Sequence, residues 1–185
     1  MASVVTPAPP QAPLAAADAL EDSDSPYAAA RAVLQAPDTA MPFDFASVIR
    51  FAGSGATVVA AYPSPMAGVA TDDTWTQLDD AELLVGERGE PALEGDLSVA
   101  SVDAPARTPL GRLPAFGLRS RVHIPLFDHA EVAGIALLYR RGARAFTAAD
   151  GWLAERTLRR LGVRLRGPLA ATDAAGRLPG HDIEP

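Results

Sequence analysis

The stretch GLRSRVHIPLF at residues 117–127 alternates Arg121 and His123 with Val122, Ile124 and Leu126. On a strand, side chains two apart share a face, so the two basic groups lie together and the apolar residues take the other side. Arg121 and His123 can face water, a ligand pocket or a second subunit. In a pocket, His123 could donate to a ligand or coordinate haem iron. The plainer reading is a hydrogen-bonded histidine near the strand edge. A one-residue slip of register would exchange the two faces.

Little else in the chain is arranged for catalysis. There is no Gly-rich phosphate loop, no Gly-x-Ser-x-Gly and no His-Glu-x-x-His, and the only histidines are the dispersed His123, His129 and His181. His129 sits in a DHAE turn beside Asp128 and Glu131, an unspecific metal site that reads first as a solvated turn. The pairs Asp72-Asp73 and Asp79-Asp80 lie in polar stretches and read as exposed acids. Absence of cysteine removes disulfides, thiolate metal sites and cysteine nucleophiles, and fits a reducing cytoplasm. The expectation is a cytoplasmic protein that is not an enzyme and carries no metal and no cofactor.

Charge narrows the partners. All 16 basic residues are arginines, and the net charge of −7 argues against general nucleic-acid binding. The layout is uneven: ten acids and only Arg88 lie between Asp72 and Asp103, whereas eight arginines face Asp150 and Glu155 between Arg140 and Arg166. Such polarity suits a protein partner or a second subunit. The arginines Arg156, Arg160 and Arg164 resemble a nucleic-acid helix, but a solvated face explains them equally well. The longest apolar run, VAGIALLY, is too short to span a bilayer, and the N-terminus lacks the basic start of a signal peptide.

The elements that must position these residues follow from periodicity. Residues 1–25 are an Ala/Pro-rich tail and 167–185 a second tail, both expected to be disordered, leaving residues 26–166 as one folded unit. Ser25-Pro26 begins a helix that Pro37 helps to stop. FDFASVIRF sets Phe43, Phe45, Ile49 and Phe51 on one strand face, and after Gly53-Ser54-Gly55 the stretch ATVVAAY returns as its hairpin partner. Leu78 to Arg88 reads as a short acidic helix and Pro91 to Asp96 as a short strand. Arg121 to Phe127 and Val132 to Tyr139 are strands, the second apolar on both faces and so central. Thr147 caps a last helix with Asp150 three residues on, and Ala154, Leu158, Leu161 and Leu165 form its apolar stripe. The order is an α+β pattern, an antiparallel sheet with terminal helices on one face.

The C-terminal half resembles a GAF domain at Gly117, Ser120, Pro125-Leu126, Gly134, Phe146-Thr147 and Asp150, and GEPALEGDL resembles that family's Gly-x-Pro-x-x-x-x-Asp segment. The resemblance covers about three-quarters of the chain. It implies a GAF/PAS-like antiparallel sheet of five to six strands. One face packs on the terminal helices, and an irregular ligand-covering segment lies over the other. Arg121 and His123 would then face the pocket side, Asp96 and Arg119 would flank its mouth, and Phe116 and Trp75 could close it. Cysteine-dependent chemistries of the family, methionine sulfoxide reduction and bilin attachment, do not carry over. Nor does its cyclic-nucleotide signature: Phe146 and Asp150 match, but Gly151 replaces the glutamate and there is no Asn-Lys pair.

Together these readings suggest a stand-alone, bacterial-type, non-catalytic sensor for an unknown small molecule. It would form a homodimer through its terminal helices and signal to a partner protein, without membrane or nucleic acid. The alternative is a ligand-free dimerisation or adaptor module of the same fold.

Overall fold

The computed structural model describes residues 26–35, 42–52, 55–62, 74–75, 78, 80–100, 116–158 and 161–165 of the 185. Both expected tails, the Ser25 cap and the Gly53-Ser54 turn lie outside them. Helix α1 (Pro26–Gln35) opens on a proline, where no helical N–H is lost, and buries Ala29, Ala30, Val33 and Leu34. Strands β1 (Phe45–Ala52) and β2 (Gly55–Tyr62) form the hairpin. The middle of the chain supplies β3 (Thr74–Trp75), α2 (Asp80–Arg88), β4 (Ala92–Glu94) and α3 (Leu97–Ala100). The order is completed by β5 (Ser120–Asp128), β6 (Glu131–Arg140), α4 (Ala148–Leu158) and α5 (Leu161–Leu165). Among the described residues, no helix is long and apolar enough to cross a membrane.

Among the described residues the strands make one six-stranded sheet in the order β3-β2-β1-β6-β5-β4, antiparallel at every pairing. The doubly apolar β6 is interior, as its pattern requires. Alternation divides the strands between two cores. On the helix side, Ala46, Val48, Val122, Ile124, Leu126, Ala136 and Leu138 pack with α1, α4 and α5. On the other side, Phe45, Ile49, Ile135, Leu137 and Tyr139 pack beneath Val85 of α2, Leu97 of α3 and Leu118. A bulge shifts the β1–β2 register from Val48↔Ala60 to Ile49↔Val58. The extra residue, Val59, therefore joins Ala60 on the helix side while Val58 and Ala61 face the other.

One strand assignment changes. Phe43 precedes β1, packs against the helix-side core and meets Tyr62 edge-on at 6.3 Å, so it does not share the face of Phe45, Ile49 and Phe51. The chain there is not extended: Asp44 N donates to the Tyr139 carbonyl and its carboxylate accepts from Arg141 N, which breaks the alternation.

The C-terminal helices are fixed at both ends of their contact with the sheet. At the start of α4, Thr147 N and Oγ1 donate to Asp150 Oδ2 at 2.7 and 2.9 Å, while Asp150 N donates back to Thr147 Oγ1 at 3.3 Å. This is a reciprocal cap that satisfies otherwise orphaned donors. The stripe Ala154, Leu158, Leu161 and Leu165 is buried in the helix-side core. Two glycines allow close approaches: a Cβ on Gly134 would overlap the Ile49 carbonyl oxygen of the neighbouring β1 and crowd Leu165 of α5, and one on Gly162 would overlap the Phe127 carbonyl of β5. Gly134→Ala is therefore expected to destabilise the protein by at least about 2 kcal/mol, because the obstacle is backbone and cannot rotate away. Urea unfolding of the variant against wild type measures it; a change within error would refute this packing.

Candidate functional site

The second face of the sheet carries charge inside its apolar core. Arg121 and His123 are paired across the β5–β6 ladder with Tyr139 and Leu137, and both side chains are fully buried. They thus lie on the face opposite the terminal helices. Cross-strand geometry supplies their partners: Glu94 of β4 stands directly opposite Arg121, and Ala92 opposite His123. Arg121 Nε donates to Glu94 Oε2 at 2.6 Å, and Arg121 Nη2 pairs with the same oxygen. From above, α2 brings Glu82 Oε1 to 3.5 Å from Arg121 Nη1. The guanidinium also sits over the Tyr139 ring, 5.9 Å from its centroid, near the outer limit of cation–π attraction.

Helix α2 fits this role by its spacing. Glu82, Val85 and Gly86 fall on its inner face at i, i+3 and i+4, while Leu83, Leu84, Glu87 and Arg88 are exposed. Glu82 therefore occupies a position that would ordinarily be apolar, and Arg121 is the reason it can. Gly86 lies against the Phe51 ring.

Beyond the end of β4 the same antiparallel alignment continues to Asp96 and Arg119. Arg119 Nε and Nη2 donate to Asp96 Oδ1 at 3.2 and 3.1 Å, and Nη2 reaches Oδ2 at 3.1 Å. Asp96 also caps α3, accepting from Ser98 N at 3.1 Å and Ser98 Oγ at 2.7 Å. The Arg119 guanidinium and then the Ser98 hydroxyl hold its carboxyl down to about 2, and Asp96 in turn raises Arg119. The result is a ladder of decreasing exposure along one face. Arg119–Asp96 is 43% and 30% exposed, Arg121–Glu94 is 0% and 22%, and His123 closes the series opposite an alanine.

His123 has a different balance. Burial, and then the neighbouring Arg121 charge, push its imidazole well below the usual histidine range, with the Ala92 backbone pulling weakly the other way. Among the described residues no side chain reaches hydrogen-bonding geometry with either ring nitrogen, and Glu94 Oε2 stands 3.5 Å from Nε2. A neutral imidazole carries one donor and one acceptor, and in this position no neighbouring acid side chain satisfies them.

Asp96, Arg119, Arg121 and His123 thus share one face, and Phe116 packs half-buried against its core. Trp75 does not join them: β3 pairs with β2 at the opposite sheet edge, with β2, β1 and β6 between it and β5. Glu82 and Glu94 escaped sequence reasoning, although the helical spacing of Glu82 with Val85 was a usable signal. His129 is an exposed turn residue at positive φ, with Nε2 3.6 Å from Asp128 Oδ1. Among the described residues, no group of three or more potential ligands is gathered as a metal site. A separate shallow cleft is lined by Arg50, Phe51, Val132, Ala133 and Leu165, where Arg50 Nη1 donates to the Leu165 carbonyl at 3.2 Å.

Two outcomes follow. Arg121→Met leaves Glu82 and Glu94 without their cation and should cost about 3–5 kcal/mol in chemical denaturation, whereas Arg119→Met, at the solvent end, should cost far less. Equal losses would contradict the graded ladder. As for pH, the folded-state pKa of His123 lies below its ordinary value of 6.5. The unfolded chain therefore takes up the proton first, so its contribution is complete above 6.5 and declines as pH falls. Asp96 acts in the same sense at lower pH, between 3.8 and about 2. Stability measured against pH should lose the upper step in His123→Gln; an unchanged profile would contradict the assignment.

No family model matches the chain, and no curated protein does. Solved structures do. The GAF domain from an Acinetobacter phosphoenolpyruvate-protein phosphotransferase is 14% identical, with 86% of this chain and 96% of that chain covered and a TM-score of 0.67. The GAF domain of a two-component sensor histidine kinase from Bacillus halodurans is 15% identical over 68% of this chain and 82% of its own, with a TM-score of 0.57. The chromophore-binding domain of an unusual bacteriophytochrome from R. palustris is 14% identical over 82% of this chain and 59% of its own, at a TM-score of 0.60. The chain has a GAF-like fold.

Proposed function

We propose that the protein is a non-catalytic regulatory module that takes a small molecule on the second face of its sheet and reports to a partner protein. The observation that carries this is the polar pair of a charged Arg121 and a neutral His123, fully buried opposite the structural helices and beneath α2. Purely structural cores seldom retain such groups, because an apolar core of the same volume is generally no less stable. A face of mostly apolar side chains with a few converging polar groups is the ordinary make-up of a ligand site. The neighbours named as a histidine-kinase GAF domain and a chromophore-binding domain support the regulatory reading.

Coupling requires that the ligand bind two arrangements of α2 and β4 with different affinity. Strand β5 lies between the two cores, with Arg121 and His123 on one side and Val122 and Ile124 on the other. A shift at the site therefore moves the surface on which the terminal helices rest. In a dimer formed by those helices, the leucine stripe is already used by the core. The exposed Trp152 and Val163 remain for contact, at 65% and 56% exposure.

The second reading is a ligand-free adaptor. It is favoured by the acids already facing Arg121 and by Val85, Leu97 and Leu118, which fill the same face. Native mass spectrometry of gently purified protein, compared with its denatured mass, separates the two. The sensor reading predicts a discrete extra mass lost on denaturation and weakened by His123→Asn or Arg119→Gln. An apo protein that no metabolite panel shifts would establish the adaptor instead.

A further inference from the structure

Three side-chain nitrogens at the buried end of the ladder point to one atom. Arg121 Nε and Nη2 both engage Glu94 Oε2, and His123 Nε2 lies 3.5 Å from that same oxygen, beyond useful hydrogen-bond distance. Both arginine contacts with Glu94 thus go to one oxygen, where a guanidinium is shaped for two, and Glu94 does not reach the buried imidazole. The cause is its tether. Glu94 is fixed to β4, a three-residue edge strand whose register sets its backbone opposite Arg121 and not opposite His123.

Glu94 is also the most exposed member of the group, at 22% against 0% for Arg121 and His123 and 2% for Glu82. It stands between the buried donors and solvent. Rotating it outward uncovers Arg121 while Glu82 still faces the guanidinium from α2. An untethered carboxylate could then give both oxygens to the arginine fork and bring one within reach of His123.

On the reading that this face takes a small molecule, we propose that its ligand is a small organic carboxylate, for which Glu94 is the built-in stand-in displaced from Arg121. The exchange replaces one carboxylate by another, so the buried charge is unchanged. It frees β4 from Arg121 and supplies the two arrangements that signalling needs. A carboxylate is favoured over phosphate because the group already seated is a carboxylate and Arg121 presents a planar fork.

The test is chemical rescue. Glu94→Gln keeps the size of the stand-in and removes its charge. Sodium acetate and sodium succinate are titrated into wild type and variant, with sodium chloride at equal ionic strength and inorganic phosphate as comparisons. Thermal unfolding and calorimetry are the readouts. The expected result is a carboxylate-specific rise in Tm of Glu94→Gln, with Kd at least about tenfold lower than in wild type, and loss of both on adding Arg121→Gln. No carboxylate-specific rise, or an equal response to phosphate, would overturn the proposal. Should Glu94→Gln not fold, the His123 ring resonances of wild type are followed by NMR. They move with succinate and not with chloride if the proposal holds, and stay fixed if it fails. A retained non-acidic compound in the native mass spectrum, without any carboxylate response, would sink this inference and leave the ligand-binding reading standing.

Discussion

An arginine cannot shed its charge inside a protein, so burying one obliges the surrounding chain to bring acids to it. Arg121 is fully buried, and the elements above it are arranged accordingly. Strand β4 runs in the register that sets Glu94 opposite Arg121, and α2 turns Glu82 inward where a helix would otherwise bury a hydrocarbon. Among the described residues, the strands between β2 and β5 are short, β3 and β4 spanning two and three residues. Charge therefore holds this covering layer in place together with Val85 and Leu97, whereas the helix-side core relies on apolar packing.

The sheet separates these two kinds of cohesion. On the helix side, Leu158, Leu161 and Leu165 pack onto strands whose backbone they approach closely, through Gly134 and Gly162. Close-packed interfaces of this sort resist gradual deformation. On the other side, the members of the ion-pair ladder become progressively more accessible from His123 to Asp96. Regions of low local stability are where ligand-dependent motion is ordinarily found. A close-packed face beside a polar, more accessible one means that a shift on the polar side passes through β5 to a surface that moves as a unit.

Much of this was legible in the sequence, for reasons that differ by element. The placement of β6 followed from apolar residues on both of its faces, and the α4 cap from Thr147 and Asp150, because both are local rules. That Arg121 and His123 share a face followed from strict alternation in β5, which the β5–β6 bulge does not reach, since the register shifts only after Leu126; which face that is came from the resemblance. Phe43 failed the same rule because tertiary hydrogen bonds at Asp44 end the strand before it. Trp75 failed because which edge a two-residue strand joins is decided by long-range pairing. Glu82 and Glu94 were hidden for a related reason. An acid in an acidic stretch looks solvated until the register reveals the buried cation opposite.

The central claim is that Arg121 fastens α2 and β4 to the sheet. Amide hydrogen exchange followed by mass spectrometry, comparing wild type with Arg121→Gln, reads this directly. The account predicts faster exchange concentrated in residues 80–94, with β1 and β6 retaining their protection. Equal loss across the sheet, or no change in that segment, would contradict it.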